Sequence, residues 1–407
     1  MKTKQKIIND PVYGFINIPG GTIFDIVEHS YFQRLRRIKQ LGLTYLVYPG
    51  AVHTRFQHAI GSMYLISLAI DVIKSKGHEI TQEEAEASKI AILLHDIGHG
   101  PFSHVLESCI TPGLSHEELS LFFMQELNKE FNGKLDLAIK IFRNSYHKKF
   151  LHQLISGQLD MDRLDYLRRD TFFTGVTEGI VGSERIIKML EVVDDNLVVE
   201  SKGIYSIEKF LIARRLMYWQ VYLHKTVLVA EKLLIKTLER IKELYQCGKI
   251  KIDNLHLKYF LDTTEYNDEK KVVNHFSMLD DFDITCLIKQ NINSDDKILK
   301  MLCEGVLNRN LPKIIIKREK FEQSFIDKLS DKIMKHYKIP ESELKYYFYH
   351  GEISNNTYSN NDEKINILYG NELIDIAEAS DMLNLSVLSK VVKKYYICIP
   401  KSISNFL

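Results

Sequence analysis

Residues 95–104 read HDIGHGPFSH. Three histidines and an aspartate fall within ten positions, where a helix is expected to end. The preceding stretch, QEEAEASKIAILLHDI (82–97), spaces its apolar residues three and four apart, the period of an amphipathic helix. Thr81 with Glu84 predicts a capping box at its start, and Gly98 predicts its stop. An apolar helix ending in His95-Asp96 must satisfy two polar groups at the edge of a core, and leaving them unpaired would cost several kcal/mol. Metal coordination is one solution. Imidazole nitrogen with carboxylate oxygen suits Mn, Fe, Ni or Zn, and Mg less well. Two adjacent residues do not complete such a site, so other segments must contribute.

Candidates lie on both sides. Residues 55–76 are expected to form a helix ending at Gly77, and His58 sits near its start in HTRFQHAIGSMYL. Asp160 and Asp162 lie in SGQLDMDRLDYLRRD. A helix there would place Asp162, Tyr166 and Asp170 on one face at i, i+4, i+8, with Arg169 beside them. Leu164 and Leu167 would face the core. Each residue also has an ordinary use. A buried histidine is more often a hydrogen-bonded core residue than a ligand. Asp160 reads as a helix N-cap, His53 and His78 as surface positions, and Arg34, Arg36, Arg37 and Lys39 as a solvated face.

The rest of the chain frames this cluster. Its 407 residues are 45% hydrophobic and 26% charged, which suits a globular protein with a large core. Lys+Arg totals 54 against 53 Asp+Glu, so no global field points to nucleic acid, and nucleic-acid binding stays open only through local clusters. Five cysteines without a CxxC pair argue against a disulfide framework or thiolate zinc site. MKTKQKIIND has no apolar core of a signal peptide, and YLISLAIDVI is interrupted by Asp71. No membrane segment and a cytoplasmic location are therefore expected.

Five of the eight prolines fall between Pro11 and Pro112, and none from there to Pro312. The proline-free stretch is free to be helical. From Ile207 to Cys247 the pattern predicts one long helix or two with a bend, and NLVVESKGIY, starting at Asn196, predicts a small hairpin near 197–206, around Lys202-Gly203. Beyond about 310 the runs KIIIK, KYYFYHG, INILYG and KKYYICIP are β-branched and aromatic, and the Asn-rich ISNNTYSNNDEK predicts a loop. The expected fold is mainly α: a helical body over 1–310 and a smaller C-terminal α+β region over 311–407, serving oligomerisation or regulation.

The order H…HD…D on successive apolar helices is the signature of the HD superfamily of metal-dependent phosphohydrolases. From Lys6 to about Lys225 the chain resembles that family's dNTP triphosphohydrolase branch. The matching text is KIINDPVYG, FQRLRRIKQLGLTYLVYPGAVHTRFQHAIG, LLHDIGHGPFSH, LSHEELS, LDMDRLDYLRRD and YLHKT. The resemblance implies an HD-domain helical core with His58, His95, Asp96 and Asp162 as ligands of one divalent metal, with Mg accompanying the substrate triphosphate as an alternative. It implies that His99, His104 and His116 form the catalytic histidine set, and that Arg55, Arg163 and Arg214 contact the triphosphate. Arg163 stands where the family's human member has lysine, which keeps charge but changes donor geometry. Tyr166 and Asp170 would hold the sugar with Gln40 at the 3′-hydroxyl, while Leu41 and Tyr222 would crowd the 2′ position. Tyr218 replaces a histidine of the human member, which puts base and sugar contacts there in question.

The implied reaction is hydrolytic attack on the α-phosphorus of a dNTP, releasing a deoxynucleoside and inorganic triphosphate. The resemblance also implies a second, regulatory site for a guanine nucleotide or dNTP activator. Lys6, Asn9, Glu28, Gln33 and Arg36 match part of it, and Arg185 and Lys202 match another part. Glu200 and Gln220 stand at arginine positions there, which weakens triphosphate binding. The alternative for the arginines is an ordinary surface salt bridge. A homo-oligomer, dimer or tetramer, is the default assembly. No SAM-like helical domain is expected ahead of Lys6. Two other functions compete: an HD phosphohydrolase acting on another nucleotide or a nucleic-acid end, and a non-catalytic nucleotide sensor or single-strand nucleic-acid binding protein.

Overall fold

Three helices carry the fold's centre. The first, α1 (Arg55–Ser75), starts where the Gln57 side chain reaches back to the Thr54 N–H at 2.9 Å. It buries Phe56, Ala59, Ile60, Met63, Ile66 and Ile73. By length and composition α1 could cross a membrane, but 67% of its apolar window is buried inside this protein, as suits a core helix. It packs on α2 (Gln82–Leu94) and on α3 (Met161–Thr174). The Thr81–Glu84 capping box starts α2 as expected. Asp160 caps α3 through the Arg163 N–H at 2.7 Å, and Gly175 ends it in the left-handed region, φ 75°.

In the computed structural model, which describes residues 6–103, 107, 109–263, 265–355, 364–381 and 391–406, the chain is 57% helical. The expectation of a mainly α fold holds. The hairpin β1 (Lys6–Asp10) and β2 (Gly14–Ile18) precedes the helices. Ahead of α3, α4 (His116–Glu130) is started by a Ser115–Glu118 capping box. The stretch from Ile207 onward resolves into two helices with a bend. They are α5 (Ile204–Met217) and α6 (Lys225–Gln246), joined through a π turn at Tyr218–Tyr222.

The hairpin expected at 197–206 needs correction. The strands are β3 (Leu190–Val193) and β4 (Asn196–Glu200), and the turn is Asp194-Asp195. Both turn residues have positive φ, 49° and 59°, a conformation that Asp tolerates and two-residue hairpins require. Lys202-Gly203 instead leads into α5.

Beyond 310 the β-rich runs form strands, as their composition suggested. Three antiparallel strands make one sheet in the order β5 (Lys313–Lys317), β9 (Val392–Ile399), β6 (Tyr349–Asn355). The others, β7 (Asn366–Tyr369) and β8 (Glu372–Asp375), extend the β3–β4 hairpin into a four-stranded sheet. There β4 pairs with β7 in parallel, Val199 opposite Ile367, so strands from either side of residue 310 share one sheet. Most of the Asn-rich loop lies outside the described residues.

Candidate active site

The ends of the three central helices converge. His58 lies in the first turn of α1, His95 and Asp96 just past the end of α2, and Asp162 in the first turn of α3. His58 Nε2 is 2.9 Å from Asp162 Oδ1 and 3.7 Å from Asp96 Oδ2. His95 Nε2 is 3.4 Å from Asp162 Oδ1 and 3.4 Å from Asp96 Oδ1. Ligands bonded at about 2.1 Å to one cation lie roughly 3.0–3.4 Å apart, so the spacings to Asp162 and that from His95 to Asp96 suit a shared ion, and the His58–Asp96 spacing is a little longer.

The donor set fits a metal on a second observation. Each imidazole is pinned through its Nδ1: His58 to Asp165 Oδ2 at 2.7 Å, and His95 to the Ile92 carbonyl at 2.5 Å. Both Nε2 atoms are buried, point at the carboxylates, and lack an aligned hydrogen-bond partner. Ligation by Nε2 would satisfy them, and the pinned Nδ1 fixes the required tautomer. His58, His95 and Asp162 place their ligand atoms within 4.8 Å of one another. Asp96 adjoins them and is shared, since Arg55 Nη1 donates to its Oδ2 and His99 Nε2 lies 3.3 Å from its Oδ1.

Charge is strongly organised here. Burial alone would favour neutral His58, yet Asp162 and Asp165 outweigh it and push the imidazole up to about 10. Burial works against ionised Asp162, but His58 and His95 hold it well below the usual carboxylate range. Burial, reinforced by Arg55, keeps His99 neutral.

The loop after α2 is held by contacts the sequence did not announce. Arg34, expected on a solvated face, is fully buried. Its Nη2 donates to the carbonyls of Ile97 (2.7 Å) and His99 (3.0 Å), and its Nη1 to that of Leu279 (3.0 Å). Gly98 serves close approach, because a Cβ there would sit 2.2 Å from the His116 carbonyl oxygen. The loop then turns through Phe102 and Ser103, both with left-handed backbone, φ 50° and 52°. The Phe102 N–H is held by Asp281 at 2.7 Å. His99 and His116 stack with ring centroids 4.1 Å apart. His116, the first residue of α4, is held by Glu107, which accepts from its N–H at 2.6 Å. His104 lies outside the described residues.

A cavity of about 450 Å³ opens from this cluster. Arg55, Asp96, His99, His116 and Asp162 line one part of it, and Gln40, Leu41, Tyr166, Asp170, Tyr218 and Tyr222 line another. Arg55 is anchored by Ser103 Oγ at 2.9 Å as well as by Asp96. Arg163 and Arg214 do not line the cavity. Arg163 is turned onto Asp160 and the Gly157 carbonyl, and Arg214 Nη1 reaches Gln158 at 3.4 Å. Asp170 accepts from Tyr222 Oη on one oxygen and pairs with His53 Nε2 on the other, both at 2.8 Å.

His53 is therefore no surface position: it is 1% exposed and stacks on Phe173. His78 is partly buried against Glu191. Arg169 also departs from expectation, since it faces away from the cavity and binds Asp165 through two nitrogens. The Asp165–Arg169 spacing of four was the available signal. No pattern marked His53, whose partner is 117 positions away.

The residues expected at a second site fall into two groups. Lys6 Nζ pairs with Glu28 at 2.5 Å, and Gln33 accepts from Arg36 Nε at 2.8 Å while donating to the Val27 carbonyl. Asn9 is exposed on the N-terminal hairpin. Elsewhere, Arg185 Nη2 donates to the Lys202 carbonyl at 3.1 Å.

Helix-end histidines and aspartates converging on one centre define the HD class, and comparison with known proteins agrees. The HD domain model matches residues 55–170, and the HD associated region model matches 181–262. The chain belongs to the HD-domain family and is an HD-domain phosphohydrolase. It is 33% identical over 316 residues to the uncharacterized protein YwfO of Bacillus subtilis, covering 76% of this chain and 71% of that one. It is 32% identical over 243 residues to the deoxynucleoside triphosphate triphosphohydrolase SAMHD1 homolog of Dictyostelium discoideum. That match covers 55% of this chain and 47% of the amoebal protein, so the chain spans about half of it. The crystal structure of a phosphohydrolase from Bacteroides thetaiotaomicron superposes with a TM-score of 0.93 at 55% identity, covering 98% of this chain and all of that one.

Proposed function

We propose that this phosphohydrolase is a dNTP triphosphohydrolase, cleaving at the α-phosphate to give a deoxynucleoside and inorganic triphosphate. The observation that carries the reading is the continuity of one cavity from the His-Asp cluster to the Asp170–Tyr222 pair. A phosphorus atom near the cluster would leave a sugar within reach of Asp170. The name of the Dictyostelium relative supports the same substrate class.

His58, His95, Asp96 and Asp162 would hold one divalent cation, of Mn, Fe, Ni, Zn or Mg type. Such a cation supplies Lewis acidity, lowering the pKa of a water and polarising a phosphoryl oxygen. The protein's own residues do the rest. Arg55, fixed by Asp96 and Ser103, offsets charge that develops on the phosphates. Neutral His99, stacked on His116, holds a proton position beside the leaving triphosphate, and His104 completes that set. Arg163 and Arg214 would meet the triphosphate after swinging from Asp160 and Gln158. Asp170 retains lone pairs that accept a 3′-hydroxyl, with Gln40 beside it and Tyr166 and Tyr218 as walls. Leu41 and Tyr222 disfavour a 2′-hydroxyl.

A regulatory nucleotide is part of the same proposal, for one specific reason. A second cavity, of about 800 Å³, is lined by Arg168, Arg185 and Lys188 together with apolar Val12, Phe172 and Ile180. That lining suits an anion carrying a flat apolar part, a guanine nucleotide or dNTP. Arg185 belongs to this lining and holds the Lys202 carbonyl, while the paired Lys6, Glu28, Gln33 and Arg36, with Asn9, would form a separate part of a regulatory surface. Self-association into a dimer or tetramer is proposed through exposed apolar side chains, Ile7, Phe15, Phe172 and Ile180, each more than half exposed.

The test is a panel of single dNTPs, mixed dNTPs and ribonucleotides with Mn²⁺ or Mg²⁺, products resolved by chromatography. Inorganic triphosphate from dNTPs supports the reading. Orthophosphate or pyrophosphate from every nucleotide tried would favour another HD phosphohydrolase activity. Hydrolysis of one dNTP only in the presence of another would support the regulatory site.

A further inference from the structure

Behind the metal ligand His58 runs a chain of buried charges that reaches the N-terminal hairpin. Asp165 Oδ2 takes the His58 Nδ1 contact at 2.7 Å and also accepts from Arg169 Nε at 2.9 Å. Its Oδ1 accepts from Arg169 Nη2 at 2.9 Å. The third guanidinium nitrogen, Nη1, donates to Asp10 Oδ2 at 2.7 Å. Asp10 ends β1, and its other oxygen ties the hairpin turn by accepting from the N–H groups of Val12 (2.9 Å) and Tyr13 (3.0 Å). His58, Asp165 and Arg169 are fully buried, and Asp10 is 3% exposed.

The backbone is adapted to this chain. Gly61 lies on α1 one turn beyond His58. A Cβ there would sit 2.0 Å from Asp165 Oδ1 and 2.2 Å from Arg169 Nη2, so only glycine admits the pair. The cavity around Asp96 and Asp162 uses neither Asp10 nor Arg169.

We infer that Asp10, Arg169 and Asp165 act as positioning residues for the metal ligand His58, so that seating of the N-terminal hairpin and affinity for the metal are thermodynamically linked. The inference rests on the reading of His58, His95, Asp96 and Asp162 as a metal site. Arg169 carries one charge between two carboxylates. Removing the Asp10 charge leaves Nη1 buried without its ionic partner and lets the guanidinium pull on Asp165. A displaced Asp165 no longer fixes the His58 ring with Nε2 toward the cation. Outer partners of ligating histidines typically change metal affinity about 10–100-fold. Linkage then works both ways: an ion that tightens His58 on Asp165 also tightens the hairpin.

The probe is Mn²⁺, titrated into the metal-stripped full chain and followed by the EPR signal of free ion. The wild type is compared with Asp162→Ala, Asp165→Asn and Asp10→Asn, each checked for native circular dichroism. Asp162→Ala is expected to lose tight binding, Asp165→Asn to bind about 10–100-fold more weakly, and Asp10→Asn about 10-fold more weakly. Hydrogen exchange needs no variant: amides of Lys6–Ile18 in the wild type should exchange more slowly once Mn²⁺ is bound. A folded Asp10→Asn that binds Mn²⁺ as the wild type does, or hairpin exchange indifferent to Mn²⁺, would overturn the linkage while leaving the metal site standing. Failure of the wild type to bind Mn²⁺ or Zn²⁺ would overturn the site and the linkage together.

Discussion

His99 and His116 stack nearly parallel, ring planes 18° apart, although one lies in the loop after α2 and the other begins α4. The stack puts two imidazoles in the lining of the cavity that also holds Asp162 and Asp170. On the proposed function these two imidazoles would handle protons, and ligation would fall to His58 and His95. Replacing His116 with Ala is expected to lower kcat for triphosphate release about 10²–10⁴-fold, the range for losing a positioned acid or base. Mn²⁺ affinity should stay within a factor of two or so, since His116 is not among the ligand atoms around His58 and His95. Steady-state kinetics beside metal titration checks both halves.

Arg34 binds three backbone carbonyls in a fully buried setting that pulls its guanidinium down to about 9. Arg34→Met removes the charge and strands the three acceptors. At roughly 1–3 kcal/mol for each buried group left unsatisfied, the loss should exceed about 3 kcal/mol in denaturant unfolding. Activity should fall as well, because two of those carbonyls, of Ile97 and His99, belong to the loop that places His99. Unchanged stability would show that the loop holds itself.

Tyr222 donates to Asp170 at 2.8 Å and walls the cavity at the same place. Tyr222→Phe keeps the ring and removes the hydroxyl. The expected result is a rise in KM for dNTPs of about 5–10-fold, consistent with a net hydrogen bond of roughly 1–1.5 kcal/mol. Tyr222→Ala should in addition admit ribonucleotides, raising the rNTP/dNTP ratio of kcat/KM. The competing reading, a substrate without deoxyribose, predicts no change in that ratio.

Glu231 lines the same cavity, and its carboxyl makes no hydrogen bond or ion pair among the described residues. Burial raises its carboxyl to about 7, with Lys232 opposing weakly. Between the ordinary carboxyl value and pH 7 the folded protein keeps a proton that the unfolded chain has released. Stability from this group is therefore full below about pH 4.5 and is lost as pH rises to about 7. Glu231→Gln removes the titration. The variant should melt above the wild type at pH 8 and close to it at pH 5, read by scanning calorimetry. An equal shift at both pH values would mean that the carboxyl titrates normally.

Much of the fold was readable because its signals are local. The Thr81–Glu84 box, the Asp160 cap and the apolar period of α2 all depend on neighbours within one or two turns. The His58, His95 and Asp162 cluster was legible because the spacing of helices in an HD chain is itself a pattern. What escaped depends on partners far away in sequence. Arg34 meets Leu279 across 245 positions, and His53 meets Asp170 across 117. Neither residue has a periodic neighbour that marks it as buried. The hairpin slipped because a Lys-Gly pair is a stronger turn signal than Asp194-Asp195, although aspartate accepts the same left-handed backbone.

The central claim is that one cavity joins a metal centre to a deoxyribose pocket. The most direct measurement is chromatographic identification of the phosphate product from each dNTP, with Mn²⁺, using the wild type and Asp162→Ala. The account predicts inorganic triphosphate and a deoxynucleoside in equal amounts from the wild type and neither from Asp162→Ala. Orthophosphate or pyrophosphate as the sole phosphate product, or undiminished turnover by Asp162→Ala, would contradict it.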